Sequence, residues 1–269
     1  MKAVGRIFNF LIFLFLYAPL FIMMFFSFNE SNSTSVFSGF SLKWYKEMFS
    51  SSDTMEALRN TLFLALLSAV IATLLGTLAA VGVFRMRSKL VRNVTMNVTN
   101  IPMMNPDIVT GVSLMLLFVF IGRMIGAADS LNFFTLLIAH VTFNLPYVIL
   151  NVLPKLRQTD PHLMEAAEDL GCHPFRAFME AVLPSIRPGI VSGFLMAFTL
   201  SIDDFVISYY TNGSSFQTLP LKIYAMTKKK VKPDMYALCT LIFVTILVLL
   251  IVINIAQARS EKNSKDSEH

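Results

Sequence analysis

Long apolar runs separated by short polar or basic stretches dominate the pattern along this chain. A helix needs about 20 mainly apolar residues to cross roughly 30 Å of hydrocarbon. Six segments meet that requirement: 7–28, 61–84, 98–121, 131–153, 189–210 and 237–256. The second carries no charge from Asn60 to Phe84, whereas Asn100, Pro102, Asn105, Pro106 and Asp107 interrupt the first half of the third. Lys2 and Arg6 before the first run resemble a signal peptide, but the run is too long and no small-x-small cleavage pattern follows, so it is predicted to span. The pattern predicts an all-α membrane protein of about six spans over 1–258, followed by a polar, disordered tail over 259–269.

The connections carry patterns of their own. In the first, Trp44, Tyr45, Met48 and Phe49 recur at helical spacing, which predicts a short helix in the membrane interface. Trp44 there is an anchor or a contact on a substrate path. Asp53 followed by Glu56 predicts a capping box opening the second span. The connection 154–188 is too long for a simple turn and predicts two short helices. Asp160 and Pro161 open the first and Gly171 stops it in a left-handed conformation. Pro174 opens the second, which puts Phe175, Phe178, Met179 and Val182 on one face and ends at Pro184.

Composition agrees with lipid exposure: 55% of the residues are hydrophobic, 14% are charged, and the mean hydropathy is +0.64. A water-facing surface needs about a quarter charged residues, which excludes an ordinary soluble domain. The net charge of +5 is assigned to basic membrane loops, so nucleic acid is not expected. With both termini cytoplasmic, 13 of the 22 Lys and Arg fall on the inner side. Lys222, Lys228, Lys229, Lys230 and Lys232 oppose that orientation, and the basic loop Arg85, Arg87, Lys89 and Arg92 favours it. Cys172 and Cys239 read as two free thiols. There is no G-x-x-x-x-G-K-S/T phosphate loop, and no catalytic residue, metal site or cofactor is expected.

Glu165-Ala166-Ala167, three residues, Gly171 and then Leu183-Pro184 resemble the EAA signature of ATP-binding-cassette (ABC) importer permeases. The signature's isoleucine falls on Ala181, so one apolar contact of that pattern is smaller in this chain. Further segments, Asn105-Pro106-Asp107-Ile108-Val109, Phe198 through Asp204 and Leu219 through Tyr224, resemble permeases of spermidine/putrescine importers of the PotC type. The resemblance covers nearly the whole chain. It implies a type I ABC importer permease (MetI-like) fold in a bacterial cell membrane, a second permease as heterodimer partner, two ATPase subunits and an extracytoplasmic polyamine-binding protein. It also implies that Glu165, Ala166, Ala167, Gly171, Phe175, Phe178, Leu183 and Pro184 couple the bundle to the ATPase.

Three acids fall inside expected spans, where each charge costs roughly 2.5 to 3.5 kcal/mol on insertion scales and so faces a cavity or a partner. On a continuous helix Ser201, Asp204 and Ser208 share one face while Asp203 points about 100° away. Spaced carboxylates suit the separated ammonium groups of a polyamine, with Tyr209, Tyr210 or Tyr224 offering ring faces. The same acids could instead pair with basic groups of a sister subunit. Asn105-Pro106-Asp107 reads as a helix restarting within the membrane, Asn105 capping it, with Asp107 either lining the path or complementing the helix dipole. His140 and Asn144 read as interhelical glue, and Pro146 as a kink. Rival readings are an importer permease for another substrate, a proton-coupled secondary transporter, or an intramembrane aspartyl enzyme pairing Asp107 with Asp204.

Overall fold

A computed structural model describes the backbone of residues 2–31, 36–127, 130–160, 162–213, 216–228 and 233–266, and their side chains except at 2–4, 233, 249 and 252–266. Pro161, Lys229, Lys230 and Lys232, named above, lie outside the described residues. The helices are α1 Lys2–Ser27, α2 Lys43–Ser50, α3 Ser52–Arg85, α4 Lys89–Met104, α5 Asp107–Met124, α6 Phe133–Gln158, α7 Leu163–Asp169, α8 Pro174–Ala177, α9 Leu183–Asp203, α10 Val206–Thr211, α11 Leu219–Thr227 and α12 Pro233–Asp266. Among the described residues, five helical runs are long and apolar enough to cross a membrane: Gly5–Ser27, Ser52–Arg85, Asp107–Met124, Phe133–Gln158 and Pro174–Asp203. The segment expected as the sixth span lies within α12, whose described apolar part is Asp234–Val248.

Several expected boundaries move. The third span is not 98–121: Pro106 offers no N–H and drives Asn105 to extended geometry (φ −77°, ψ 143°), so α4 ends at Met104 and α5 starts afresh at Asp107. Asn105 does not cap α5; Pro106 holds the cap position, and its carbonyl accepts the N–H of Val109 at 2.9 Å. Pro184 does not end the second loop helix. A π-helical turn, Phe178–Val182, follows α8 and runs directly into α9, and Pro184, which has no N–H to give, sits just after that turn in a helical run that continues to Asp203. Ser51 rather than Asp53 opens α3, its carbonyl accepting the N–H of Met55 at 3.1 Å. The tail expected to be disordered continues α12 as helix through Asp266.

The chain divides into two compact units. One comprises residues 1–58 and 219–248. Its loop is organised by Asn29, which is fully buried, accepts from the Ser38 N–H at 2.9 Å and donates to the Val36 carbonyl at 2.7 Å. The expected short helix is present as α2, and Met48 packs with Ala57, Leu219 and Leu238. Desolvation depresses the Lys222 ammonium below the usual lysine range, opposed by the charges of Asp53, Asp234 and Glu56.

The other unit comprises residues 59–218 and 249–269. Its core joins Ala69, Ala72 and Ala80 of α3 to Val148, Ile149 and Val152 of α6 and to Ile186 and Ala197 of α9. Helices in lipid gain nothing by hiding apolar surface from water, so small residues that admit close backbone approach carry the packing. Val148 shows this from two sides: a Cβ added at Gly76 would sit 2.7 Å from its Cγ1, and one added at Gly193 would sit 3.2 Å away. At Gly82 an added Cβ meets nothing within 4 Å. Gly76→Leu and Gly193→Leu are therefore expected to lower the stability of the detergent-solubilised protein by about 1–3 kcal/mol, read as the thermal midpoint, with Gly82→Leu unchanged.

Candidate functional site

The run that was expected to be one helix over 189–210 is broken at Asp204 and Phe205. No glycine or proline lies there. Asp204 adopts extended geometry (φ −63°, ψ 122°), and its carboxylate turns onto the start of α10. It accepts the N–H of Ile207 at 3.2 Å and of Ser208 at 2.8 Å. In an uninterrupted helix those two N–H groups would bond to the carbonyls of Asp203 and Asp204. The aspartate side chain thus replaces the backbone acceptor, the competition that makes Asp a helix opener rather than an interior residue. The displaced carbonyls lie at the C-terminal end of α9, the negative end of its dipole.

Asp203 and Asp204 then part company. Asp203, the last residue of α9, is exposed on this chain, while the Asp204 side chain is only 8% exposed. Ser208 Oγ also donates to Asp204 Oδ2 at 2.8 Å. His140 of α6 lies with Nε2 at 3.0 Å from Ser208 Oγ and Nδ1 at 3.2 Å from Ser201 Oγ. Ser201 also accepts from Asn144 Nδ2 at 2.7 Å and lies 2.9 Å from Ser68 Oγ of α3. His140 and Asn144 are interhelical glue, as expected. Ser201, Asp204 and Ser208 do meet, but around His140 rather than along one helical face.

Sequence reasoning passed over Ser68, because a lone serine in an apolar span carries no signal. It missed the break because the signal is the Asp204 side chain's choice of partner, not a helix-breaking residue type.

Asp107 begins α5, exposed on this chain and within electrostatic range of Tyr147 of α6. One turn later, Gly111 lets α5 meet α10: a Cβ there would lie 3.1 Å from Tyr210 Cδ2 and 3.5 Å from the Val206 carbonyl. Seven positions of α6, about 10 Å of rise, separate Tyr147 from His140, so Asp107 and Asp204 address different levels of that helix. Trp44 is 4% exposed, and its indole N–H donates to the Asn29 carbonyl at 2.6 Å. Tyr224 carries the chain's own Lys228 Nζ over its ring at 4.5 Å. Trp44 and Tyr224 belong to the first unit, and the three acids to the second.

The loop segment keeps its expected left-handed stop. Gly171 has φ +87°; its N–H bonds to the Glu168 carbonyl at 2.8 Å, and the Cys172 N–H bonds to the Ala167 carbonyl at 3.1 Å. This is the paired closure that favours glycine after a helix. Glu165 is exposed and holds His162 at 3.0 Å; that hydrogen bond, with the charges of Glu165 and Asp160, raises the His162 pKa above the usual histidine value. The expected apolar face splits. Phe178, Val182 and Leu183 pack on the bundle core, whereas Phe175 is 71% exposed, and Leu170 and Met179 are exposed as well. Ala166 and Pro184 are exposed and Ala167 is half-buried.

Comparison with known proteins agrees with this architecture. The family model described as "Binding-protein-dependent transport system inner membrane component" matches residues 72–265. The spermidine/putrescine transport system permease protein PotC of Escherichia coli (strain K12) is 37% identical over 256 residues, 95% of this chain and 94% of its own length. The putrescine transport system permease protein PotI of the same organism is 38% identical over 250 residues, 93% of this chain and 89% of its own. In structure, the chain is similar to a bacterial ABC transporter involved in the import of the acidic polysaccharide alginate, with a TM-score of 0.73 at 15% identity, covering 96% of this chain and 95% of that one. The chain belongs to the binding-protein-dependent transport system inner membrane components, the permease family of ABC importers.

Proposed function

We propose that this chain is one of two different permeases in a bacterial importer of polyamines, with spermidine and putrescine as substrates. In this reading a binding protein outside the cell delivers the substrate, and two ATPase subunits drive alternating access from the cytoplasmic side, where both termini also lie. Membership of a transport family leaves the aspartyl-enzyme reading and the proton-coupled carrier without support.

The observation that carries the substrate class is the exposed Asp203 carboxylate at the open C-terminal end of α9, beside carbonyls relieved of their helical donors. Irregular backbone at membrane depth is tolerated where it lines a cavity or is buried in protein, and carbonyl-rich helix ends there favour cations. Asp107, exposed at a second level, supplies another negative charge for an extended cation with separated ammonium groups. The names of the similar PotC and PotI permeases point to the same substrates. Ser201 and Asp204 support the path from behind.

The coupling surface is the exposed end of the 154–188 connection. Leu170, Phe175 and Met179 are apolar side chains that the bundle leaves uncovered on this connection, and we read them as one patch with Glu165, Ala166, Ala167 and the Gly171 turn, joined to α9 through Phe178, Leu183 and Pro184. An ATPase groove is the partner this patch suits.

The direct test is purification of the complex from its native membrane and reconstitution with the binding protein in liposomes; ATP-dependent accumulation of radiolabelled spermidine or putrescine is expected, and ATP-independent or absent accumulation overturns the reading. In that assay Asp203→Asn is expected to slow uptake about 10-fold or more with an unchanged thermal midpoint, from the loss of a charge-assisted bond of about 1.5–3 kcal/mol. Asp204→Asn is expected to slow uptake and also to lower stability by about 1 kcal/mol, because it weakens the cap on α10. Phe175→Asp and Gly171→Leu are expected to abolish stimulation of ATP hydrolysis by the loaded binding protein, measured as phosphate release.

A further inference from the structure

We infer that His140 is a positioning residue for translocation: it clasps the helices on both sides of the break at Asp204 and so fixes the direction in which Asp203 is presented. This rests on the reading of Asp203 as the path-facing acid.

Hydrogen counting shows how the clasp works. Ser208 Oγ has one hydrogen, and it is directed at Asp204 Oδ2, 2.8 Å away. Ser208 therefore accepts at 3.0 Å, which puts a hydrogen on His140 Nε2. In the neutral ring Nδ1 is then an acceptor, and Ser201 Oγ, 3.2 Å away, is its donor. The Ser201 lone pairs take Asn144 Nδ2–H at 2.7 Å and the hydroxyl of Ser68, which is closer to Ser201 at 2.9 Å than to its alternative acceptor, the Ala65 carbonyl, at 3.2 Å. Every donor from Ser68 through Ser201, His140 and Ser208 points the same way, and the chain ends on the Asp204 carboxylate.

His140 Nε2 is 3.5 Å from Asp204 Oδ2, so the ring acts on the acid through Ser208. The members are buried: Ser68, Asn144 and Ser208 are 0% exposed, His140 1% and Ser201 3%. With no water at that depth to replace a lost partner, each link depends on the others. The ring thereby joins α9, two residues before Asp203, to α10, four residues after Asp204. The packing of α3, α6 and α9 around Val148 does not involve it.

The test uses the complete importer in liposomes. His140→Ala is expected to lower the maximal uptake rate at least 10-fold while the concentration of loaded binding protein giving half-maximal rate stays unchanged. His140→Gln, which keeps one donor and one acceptor, is expected to recover a large part of that rate. The double variant His140→Ala/Asp204→Asn is expected to be no slower than the slower single variant, because both act on one unit. Normal uptake by His140→Ala overturns the inference, as does equal slowness of the Ala and Gln variants with lowered thermal midpoints and a multiplicative double variant. If His140→Ala fails to assemble, Ser208→Ala, which deletes only the bridging oxygen, is expected to show the same rate loss, and its normal uptake overturns the inference. Asp203→Asn in the same preparation separates the two readings: normal uptake there removes the path assignment, whereas slow uptake beside a normal His140→Ala removes only the clasp.

Discussion

At membrane depth no water stands ready to accept or donate a hydrogen bond, and each unmet backbone group costs several kcal/mol. The break between α9 and α10 exists under that constraint. The Asp204 carboxylate takes over two backbone N–H groups, Ser208 and His140 support the carboxylate, and Ser201, Asn144 and Ser68 complete the set. The two backbone N–H groups freed by the interruption are met from within the chain, while Asp203 stays exposed at the last turn of α9.

The packing around this network is of a different kind. Alanines of α3, with Gly76 and Gly193, bring three helices close around Val148. Dispersion and shape carry that contact, since lipid is as apolar as the side chains it would replace. The polar cluster and the small-residue core lie at successive levels of α6, His140 and Asn144 at one and Val148 at the next. One helix therefore supports both the break and the bundle that carries it.

The 154–188 connection is held by local backbone closure and a surface pair instead of a buried network. There Gly171 closes α7 with two backbone bonds, Glu165 pairs with His162, and the apolar side chains divide between the bundle and the open surface. The π-helical turn makes this segment continuous with α9. A force applied at the exposed end therefore has an unbroken helical path toward Asp203.

The sequence by itself determined the class of protein, because hydrophobic runs of about 20 residues have one physical meaning and charge is too scarce for a water-facing surface. It also determined the left-handed turn at Gly171, the helix restart at Asp107 and the presence of acids within the apolar runs, since glycine, proline and intramembrane charge each act through local rules. It did not determine where the fifth span breaks, which of two adjacent aspartates stays exposed, or that Ser68 and His140 belong to the site. Those were decided by tertiary structure. Asp204 leaves the helix where Ser208 completes the hydrogen bonds of its carboxylate and a histidine from another helix holds Ser208, and a partner 68 positions from Ser208 leaves no trace in a local pattern.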